Sequence, residues 1–251
     1  MCQRNFSLIF FILSYSNFLP AQTATEIVQR ADEKMRGVSS RAELIIRTVR
    51  PTWSREMKVK TWMWQKNYAL ILILSPAREK GMVFLKRDKE VWNWIPALER
   101  TIKLPPSMMS QSWMGTDFTN DDLVKESSVV DDYFHRLVSD TILAGRDCHI
   151  IEFLPKPTSA VVWGKLLVSI DKKDFLELYT EFYDEEGALV NLMLASNIKE
   201  MDGRLLPTKF EMIPLGKPGQ KTEIIYKTLH FNQNMNSDFF TIDNMKRIHD
   251  Q

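Results

Sequence analysis

Few side chains in this sequence have the types and spacing that catalysis or metal binding needs. Histidines that bind a metal usually recur three to five residues apart or next to cysteines, and the four here are scattered at His135, His149, His230 and His249. No Gly-x-Ser-x-Gly, P-loop or Gly-x-Gly-x-x-Gly sequence is present. The sequence therefore predicts no catalytic residues, no metal site, no cofactor and no enzymatic activity.

Paired acids occur, but in positions that suit other roles. They fall in turns, in loops or at the start of a helix, where solvation or capping is far more common than acid–base chemistry; the pairs are Asp121-Asp122, Asp131-Asp132 and Glu185-Glu186. Catalytic groups can also converge from distant strands, so a hydrolase acting on lipid stays an open alternative.

Tryptophan and methionine mark a region suited to binding a hydrophobic molecule. Five of the 7 tryptophans lie between Trp53 and Trp94. Several segments there are apolar on both faces, whereas a solvated antiparallel sheet should be apolar on one face only. Either protein covers both faces, or one face meets a hydrophobic ligand, and the sequence leaves both interpretations open. The candidate ligand-binding residues are Met57, Val59, Trp62, Trp64, Leu70, Leu72, Met82, Phe84, Trp92 and Trp94.

The stretch 105–132 interrupts the pattern of short apolar segments. It begins after two prolines and has no strand alternation, and Thr119 is placed to cap a short helix. So long an insertion often covers a functional site, although it could equally plug one end of a barrel. The candidate lid residues are Met108, Met109, Trp113, Met114 and Phe118.

Composition and charge exclude several classes of protein. The chain has 251 residues, of which 44% are hydrophobic and 26% charged, with a net charge of +1. These values are typical of a globular protein and exclude a disordered chain or a polytopic membrane protein. No long basic run is present, so a nucleic-acid partner is not expected.

The N-terminus has the pattern of a cleaved secretory signal. Arg4 precedes an apolar run that is too short to span a bilayer, and cleavage is expected after Ala21 or Ala24. An uncleaved amphipathic anchor is the alternative. We therefore expect a signal peptide over 1–21, a single domain over 22–251 and a periplasmic location. Only Cys148 would remain, so no internal disulfide is possible, and a buried thiol is expected.

Local patterns predict one helix followed by strands. Thr23 and Glu26 form a capping-box pattern before a helix over about 24–36, and Gly37 ends it. Strands are predicted near 40–50, 55–66, 68–75, 80–87, 90–95, 99–104, 133–143, 146–154, 160–170, 175–183, 188–199, 206–214 and 221–231. Short connections predict a mostly β fold with a curved antiparallel sheet covered by a few short helices. A barrel, a half-barrel and a sandwich all fit.

Four segments, in order, resemble signatures of the LolA-like outer-membrane lipoprotein-sorting proteins. They are W-N-W-I-P-A-L-E-R, with Pro96 and Arg100; S-W-M-G-T-D-F, with Gly115, Asp117 and Phe118; G-R-L-L-P-T-K, with Pro207; and a terminal D-F-F-T. The resemblance implies a half-barrel that encloses a hydrophobic cavity.

The same resemblance implies a function and partners. It implies a periplasmic carrier of acylated lipoproteins or other lipids, working with inner-membrane export machinery of the ABC or RND type and with the outer membrane. In related proteins a strand arginine bonds to the lid, but neither Arg47 nor Arg55 lies in a motif here. The alternative is a periplasmic lipid sensor that regulates a partner protein.

Overall fold

Thirteen strands, counted over the part of the chain that the structure describes, form one antiparallel sheet. The computed structural model describes residues 22–125 and 128–248; the predicted signal peptide and His249 lie outside them. The strand order is β6-β5-β4-β3-β2-β1-β13-β12-β11-β10-β9-β8-β7, so the N- and C-terminal halves meet where β1 pairs with β13. Because β6 and β7 are the two edges, the sheet is open. The predicted mostly β, antiparallel fold is confirmed.

Each strand lies close to a predicted one. The bounds are β1 Ser39–Arg50, β2 Trp53–Trp64, β3 Tyr68–Ser75, β4 Val83–Arg87, β5 Glu90–Ile95, β6 Arg100–Lys103, β7 Tyr133–Leu143, β8 Arg146–Pro155, β9 Lys165–Asp171, β10 Glu177–Tyr183, β11 Leu189–Met201, β12 Arg204–Pro214 and β13 Lys221–Phe231. The predicted starts at 80 and 160 were too early. Residues before Val83 form a turn, and residues 156–164 form a loop, so both strands begin later than predicted.

One long helix closes part of the inner face of the sheet. Helix α1 (Ala24–Arg36) has the predicted bounds and capping box: the Glu26 N–H donates to Thr23 Oγ1, and the Thr23 N–H donates to the Glu26 carboxylate. Ile27 and Val28 are buried against the sheet. At the other end Arg204 donates to the carbonyls of Glu33 and Lys34, which fixes the helix C-terminus.

The segment 104–132 connects the two edges of the sheet, and its described residues include short helical turns. These are 3₁₀ turns at Pro106–Met108 and Trp113–Gly115 and a π-helical turn at Asp121–Lys125. The predicted cap is present, since the Asp122 N–H donates to Thr119 Oγ1 over 3.1 Å. No helix among the described residues is long and apolar enough to cross a membrane.

A second helix, absent from the sequence prediction, covers the outer face of β2–β5. Helix α2 (Ile242–Arg247) and the residues before it bury Phe240, Met245 and Ile248. They pack on a row of residues that face one another across neighbouring strands: Trp62, Leu70, Leu85 and Trp92, with Leu72, Val83 and Trp94 beside them. This packing explains why these strands are apolar on both faces.

The C-terminal cover should contribute strongly to stability. We expect Phe240→Ala to lower the free energy of unfolding by about 3–5 kcal/mol, because a fully buried aromatic ring is removed. Urea unfolding would measure this, with the exposed Leu98→Ala as control, for which a change below about 0.5 kcal/mol is expected. An equally small change in Phe240→Ala would contradict this role of the segment.

Candidate functional site: an apolar cavity behind a tethered loop

A cavity of about 330 Å³ lies between α1, residues 118–123 and 129–133, and the inner face of the C-terminal strands. This volume is at the lower end of the range for small-molecule sites. Most of the wall is apolar. The side chains that form it include Val28, Ala31, Phe153, Leu166, Val168, Ile170, Phe182, Met193, Leu206, Phe210, Met212 and Ile224. The arrangement can shield a hydrophobic chain from water.

Four carboxyl groups also border this cavity, those of Asp32, Asp121, Asp122 and Glu177. Burial raises the pKa of Asp122 to about 6, even though Trp163 Nε1 and the Thr119 N–H both donate to it, over 2.8 Å and 2.7 Å. Burial also raises the pKa of Glu177, whose Oε1 accepts a hydrogen bond from Thr180 Oγ1 over 2.6 Å. Through its hydrogen bond with Trp163, Asp122 joins the π-helical turn to the loop before β9.

Residues 112–119, here called the latch loop, form a tight hairpin-like turn beside the cavity. The Trp113 N–H donates to the Phe118 carbonyl over 2.8 Å, and Thr116 Oγ1 donates to the Trp113 carbonyl over 2.7 Å. Gly115 has φ +76°, a conformation that favours glycine. These contacts give the S-W-M-G-T-D-F segment a physical basis, because the Thr116 hydroxyl closes the turn and Gly115 adopts the conformation that the turn needs.

An arginine at the end of β1 ties the latch loop to the sheet. Arg50 donates from both terminal nitrogens to Asp117, over 2.9 Å and 3.1 Å, and also to the Gly115 carbonyl. Thr222 Oγ1 donates to the same carboxylate over 2.7 Å. The Asp117 side chain is only 5% exposed, so losing Arg50 would leave a buried charge without its ion pair.

The two strand arginines named in the sequence analysis, Arg47 and Arg55, make different contacts. Arg55 donates to the Met114 carbonyl and lies 3.7 Å from Glu79, so it also holds the latch loop. Arg47 instead pairs with Glu56 and Glu223. The sequence could not single out Arg50, because this last residue of β1 lies in no motif and its partner Asp117 is 67 residues away.

The lid candidates lie in the segment as expected, but in different environments. Trp113 is buried and its ring lies 5.5 Å from that of Phe84. Met109 and Phe118 are buried, and Phe118 borders the cavity. Met108 and Met114 are half-buried. A movable lid role for these five residues stays a prediction.

The ten candidate ligand-binding residues all lie outside the wall of the large cavity. Six are on the outer face beneath the C-terminal segment: Trp62, Trp64, Leu70, Leu72, Trp92 and Trp94. Four belong to the inner-face core: Met57, Val59, Met82 and Phe84. Val59, Trp62, Leu70 and Trp113 border a separate cavity of about 70 Å³. Ligand binding by the ten residues stays a prediction.

The remaining motif residues shape turns and the cavity floor. Pro96 begins a 3₁₀ turn that joins β5 to β6, and Arg100 is exposed at the start of β6. Pro207 is buried in β12 and borders the cavity. Beside it, Thr208 Oγ1 donates to the Asn197 carbonyl, which stabilises an irregular point of β11.

The sequence predicted the C-terminal strands, but it did not indicate that they form the wall of the cavity. Their signal was ordinary alternation, as in Leu166, Val168 and Ile170, which is typical of any half-buried strand. Among residues 22–125 and 128–248, no three His, Cys, Asp or Glu side chains are grouped so that they could hold a metal ion.

Solved structures share this fold over nearly their whole length. A putative outer membrane lipoprotein-sorting protein domain from Vibrio parahaemolyticus is 23% identical, with a TM-score of 0.80 over 89% of this chain and 98% of that chain. A LolA superfamily protein from Nitrosomonas europaea is 23% identical, with a TM-score of 0.78 over 89% and 99%. A DUF1329 family protein from Desulfovibrio piger is 21% identical, with a TM-score of 0.79 over 88% and 97%.

The chain therefore has a LolA-like fold, as the sequence motifs predicted. It belongs to a family whose model, described as "uncharacterized protein", matches residues 65–247. A search of curated proteins found no match.

Removing Arg50 should loosen the latch loop. We expect Arg50→Ala to increase hydrogen exchange across 112–119 and to lower the free energy of unfolding by about 3–5 kcal/mol, because the buried Asp117 loses its ion pair. Arg136→Ala is the control, because that exposed arginine pairs with Glu152 far from the loop. Equal exchange in both variants would show that Arg50 does not hold the loop.

Asp122 should make stability depend on pH. Its pKa in the folded protein is about 6, above the ordinary value of 3.8. The folded state therefore binds the proton more tightly, so the contribution is present below about pH 4 and is lost as pH rises through 6. We expect Asp122→Asn to flatten the curve of unfolding free energy between pH 4 and 7 by up to ~3 kcal/mol. An unchanged curve would contradict the assignment.

Proposed function

We propose that this chain is a periplasmic carrier that binds the acyl chains of lipoproteins or other lipids and moves them toward the outer membrane. The observation that supports this most directly is the apolar cavity of about 330 Å³ beside a loop tethered by the Arg50–Asp117 ion pair. The wall offers apolar contact, and the tether offers a place where the site could open and close.

The energetics of burial suit a carrier. Burying one methylene is worth about 0.8 kcal/mol, so shielding on the order of ten methylenes would give roughly 8 kcal/mol. That corresponds to about micromolar affinity before ordering costs. A membrane offers the same transfer free energy, so bound lipid can be released to it without a covalent step, a metal or a cofactor.

A carrier needs a donor and an acceptor. The fold and the motifs resemble lipoprotein-sorting proteins, which supports an inner-membrane export complex of the ABC or RND type as donor and the outer membrane as acceptor. The predicted signal peptide supports the periplasm as the compartment in which transfer takes place.

Filling the cavity with a larger side chain should weaken the binding of an acyl chain. We expect Met193→Trp, on the cavity wall, to weaken binding of a fluorescent fatty-acid analogue at least about ten-fold, because the larger ring occupies the space of the chain. Leu194→Trp is the matched control, because this neighbour on β11 is 38% exposed and is not part of the cavity wall. Fluorescence titration would measure both.

The natural cargo can be identified directly. The mature protein would be purified from its native periplasm and extracted with organic solvent, and the extract would be identified by mass spectrometry. Bound lipid that moves from donor to acceptor vesicles would support a carrier. Lipid binding without transfer, but with capture of a regulatory membrane protein, would support the sensor. Turnover of an ester would support the hydrolase, and absence of any acyl binding would end the proposal.

A further inference from the structure

Three adjacent turns at one end of the sheet form a surface that is both apolar and basic. This turn-tip surface comprises the β1–β2 turn with the first residue of β2 (51–53), residues 77–80 between β3 and β4, and residues 215–218 between β12 and β13. Arg55 lies 3.7 Å from Glu79, and a Cβ on Gly219 would lie 3.7 Å from Pro51 Cγ. The β1–β2 turn is therefore next to both of the others.

Two large apolar side chains of this surface face solvent. Trp53 is 52% exposed and Leu215 is 41% exposed. Tryptophan is favoured at membrane–water interfaces because its ring is apolar and its N–H can still bond to water or head groups. Pro51 and Pro218 are also exposed and stiffen the two turns.

The charges on the same surface are mainly basic. Arg78, Lys80 and Lys217 are exposed, while Glu79 faces Arg55 in an ion pair. The acidic residues Glu185 and Glu186, in the neighbouring β10–β11 turn, limit the surface on its far side. Basic side chains around an exposed tryptophan complement an anionic lipid surface.

The exposed tryptophan is also in contact with the tether of the latch loop. The Arg50 guanidinium lies 5.8 Å from the centre of the Trp53 ring, within the range of a cation–π interaction. The same guanidinium holds Asp117 and the Gly115 carbonyl. Movement of Trp53 into a membrane interface would therefore remove one of the contacts that fix Arg50.

We propose that the turn-tip surface docks on an anionic lipid bilayer, with Trp53 and Leu215 at the interface and Arg78, Lys80 and Lys217 against the head groups. Docking shifts Trp53 away from Arg50 and loosens the latch loop where lipid is exchanged. The docking goes beyond the proposed function, whereas its effect on exchange rests on that function.

Vesicle sedimentation tests the docking. The mature chain should bind vesicles of equal parts phosphatidylglycerol and phosphatidylcholine, more weakly at high salt, and bind phosphatidylcholine vesicles much less. Trp53→Ser should weaken binding about ten-fold and Leu215→Ser by a similar factor. Changing all three basic residues to glutamine should weaken it about a hundred-fold. Phe134→Ser is the control, because Phe134 is 58% exposed on the edge strand β7.

The outcomes separate docking from cargo binding. Trp53→Ser should still bind the fatty-acid analogue, and it should release the analogue faster than the unmodified chain even without vesicles, because the ring that contacts Arg50 is absent. Anionic vesicles should not accelerate that release further. Absence of binding to anionic vesicles, or an equal loss in Phe134→Ser, would overturn the docking. In a third outcome, the unmodified chain does not bind vesicles but is captured by a membrane protein, and the Trp53 variant is not captured. A protein would then occupy this surface, and the docking on lipid would also be overturned.

Discussion

The structure depends on covering the apolar inner face of the thirteen-stranded sheet, and helix α1 can cover only part of that face. Apolar surface is stable only when it is removed from water. Helix α1 contacts β7, β9 and β12, so it shields the C-terminal half of the sheet. The other half needs a different cover, and the 104–132 segment supplies it with Trp113 packed on Phe84. The half of the sheet under the 104–132 segment is filled by side chains, and the half under α1 contains the cavity. These are called the filled half and the hollow half, and the difference follows from how the two covers fit.

The hollow half is the one that α1 covers. A straight helix over a curved sheet leaves space that side chains must fill, and in this protein they leave about 330 Å³. Protein interiors otherwise pack as densely as organic crystals, so a space of this size is a feature of the site. The half-buried Asp122 and Glu177 are among the carboxyl groups that border it, so the wall is apolar but not uniform.

Hydrogen bonds and an ion pair of the latch loop and of the turn after it connect the two halves of the sheet. It is tied to β1 and β13 through Arg50, Asp117 and Thr222, and the π-helical turn that follows it is joined to the loop before β9 through Asp122 and Trp163. Trp113 and Phe118 anchor the two ends of the loop in the apolar core, whereas polar bonds to Arg50 and Thr222 hold its outer turn. A change in the position of Arg50 would therefore affect the outer turn before the core. The turns that surround Arg50 are therefore well placed to link the outer surface to the site.

Local patterns in the sequence predicted much of the fold. The capping box gave α1, and alternation with turn residues located each strand to within a few residues, because both signals depend on neighbours along the chain. The short α2 was missed, although Thr241, Ile242 and Met245 have the spacing of a capped helix, because six residues give a weak periodic signal. The four motifs led to the LolA-like fold without a structure.

The position of the cavity could not be predicted in the same way. The sequence determined which strands are apolar and on which faces, since side-chain alternation is a local property. Only the tertiary structure decided what covers each face: the C-terminal segment on the tryptophan-rich outer face, Trp113 on the inner face of β2–β4, and empty space beneath α1. Apolar side chains that pack on protein and those that line a cavity have the same composition and period, so they differ only in what the rest of the chain places opposite them.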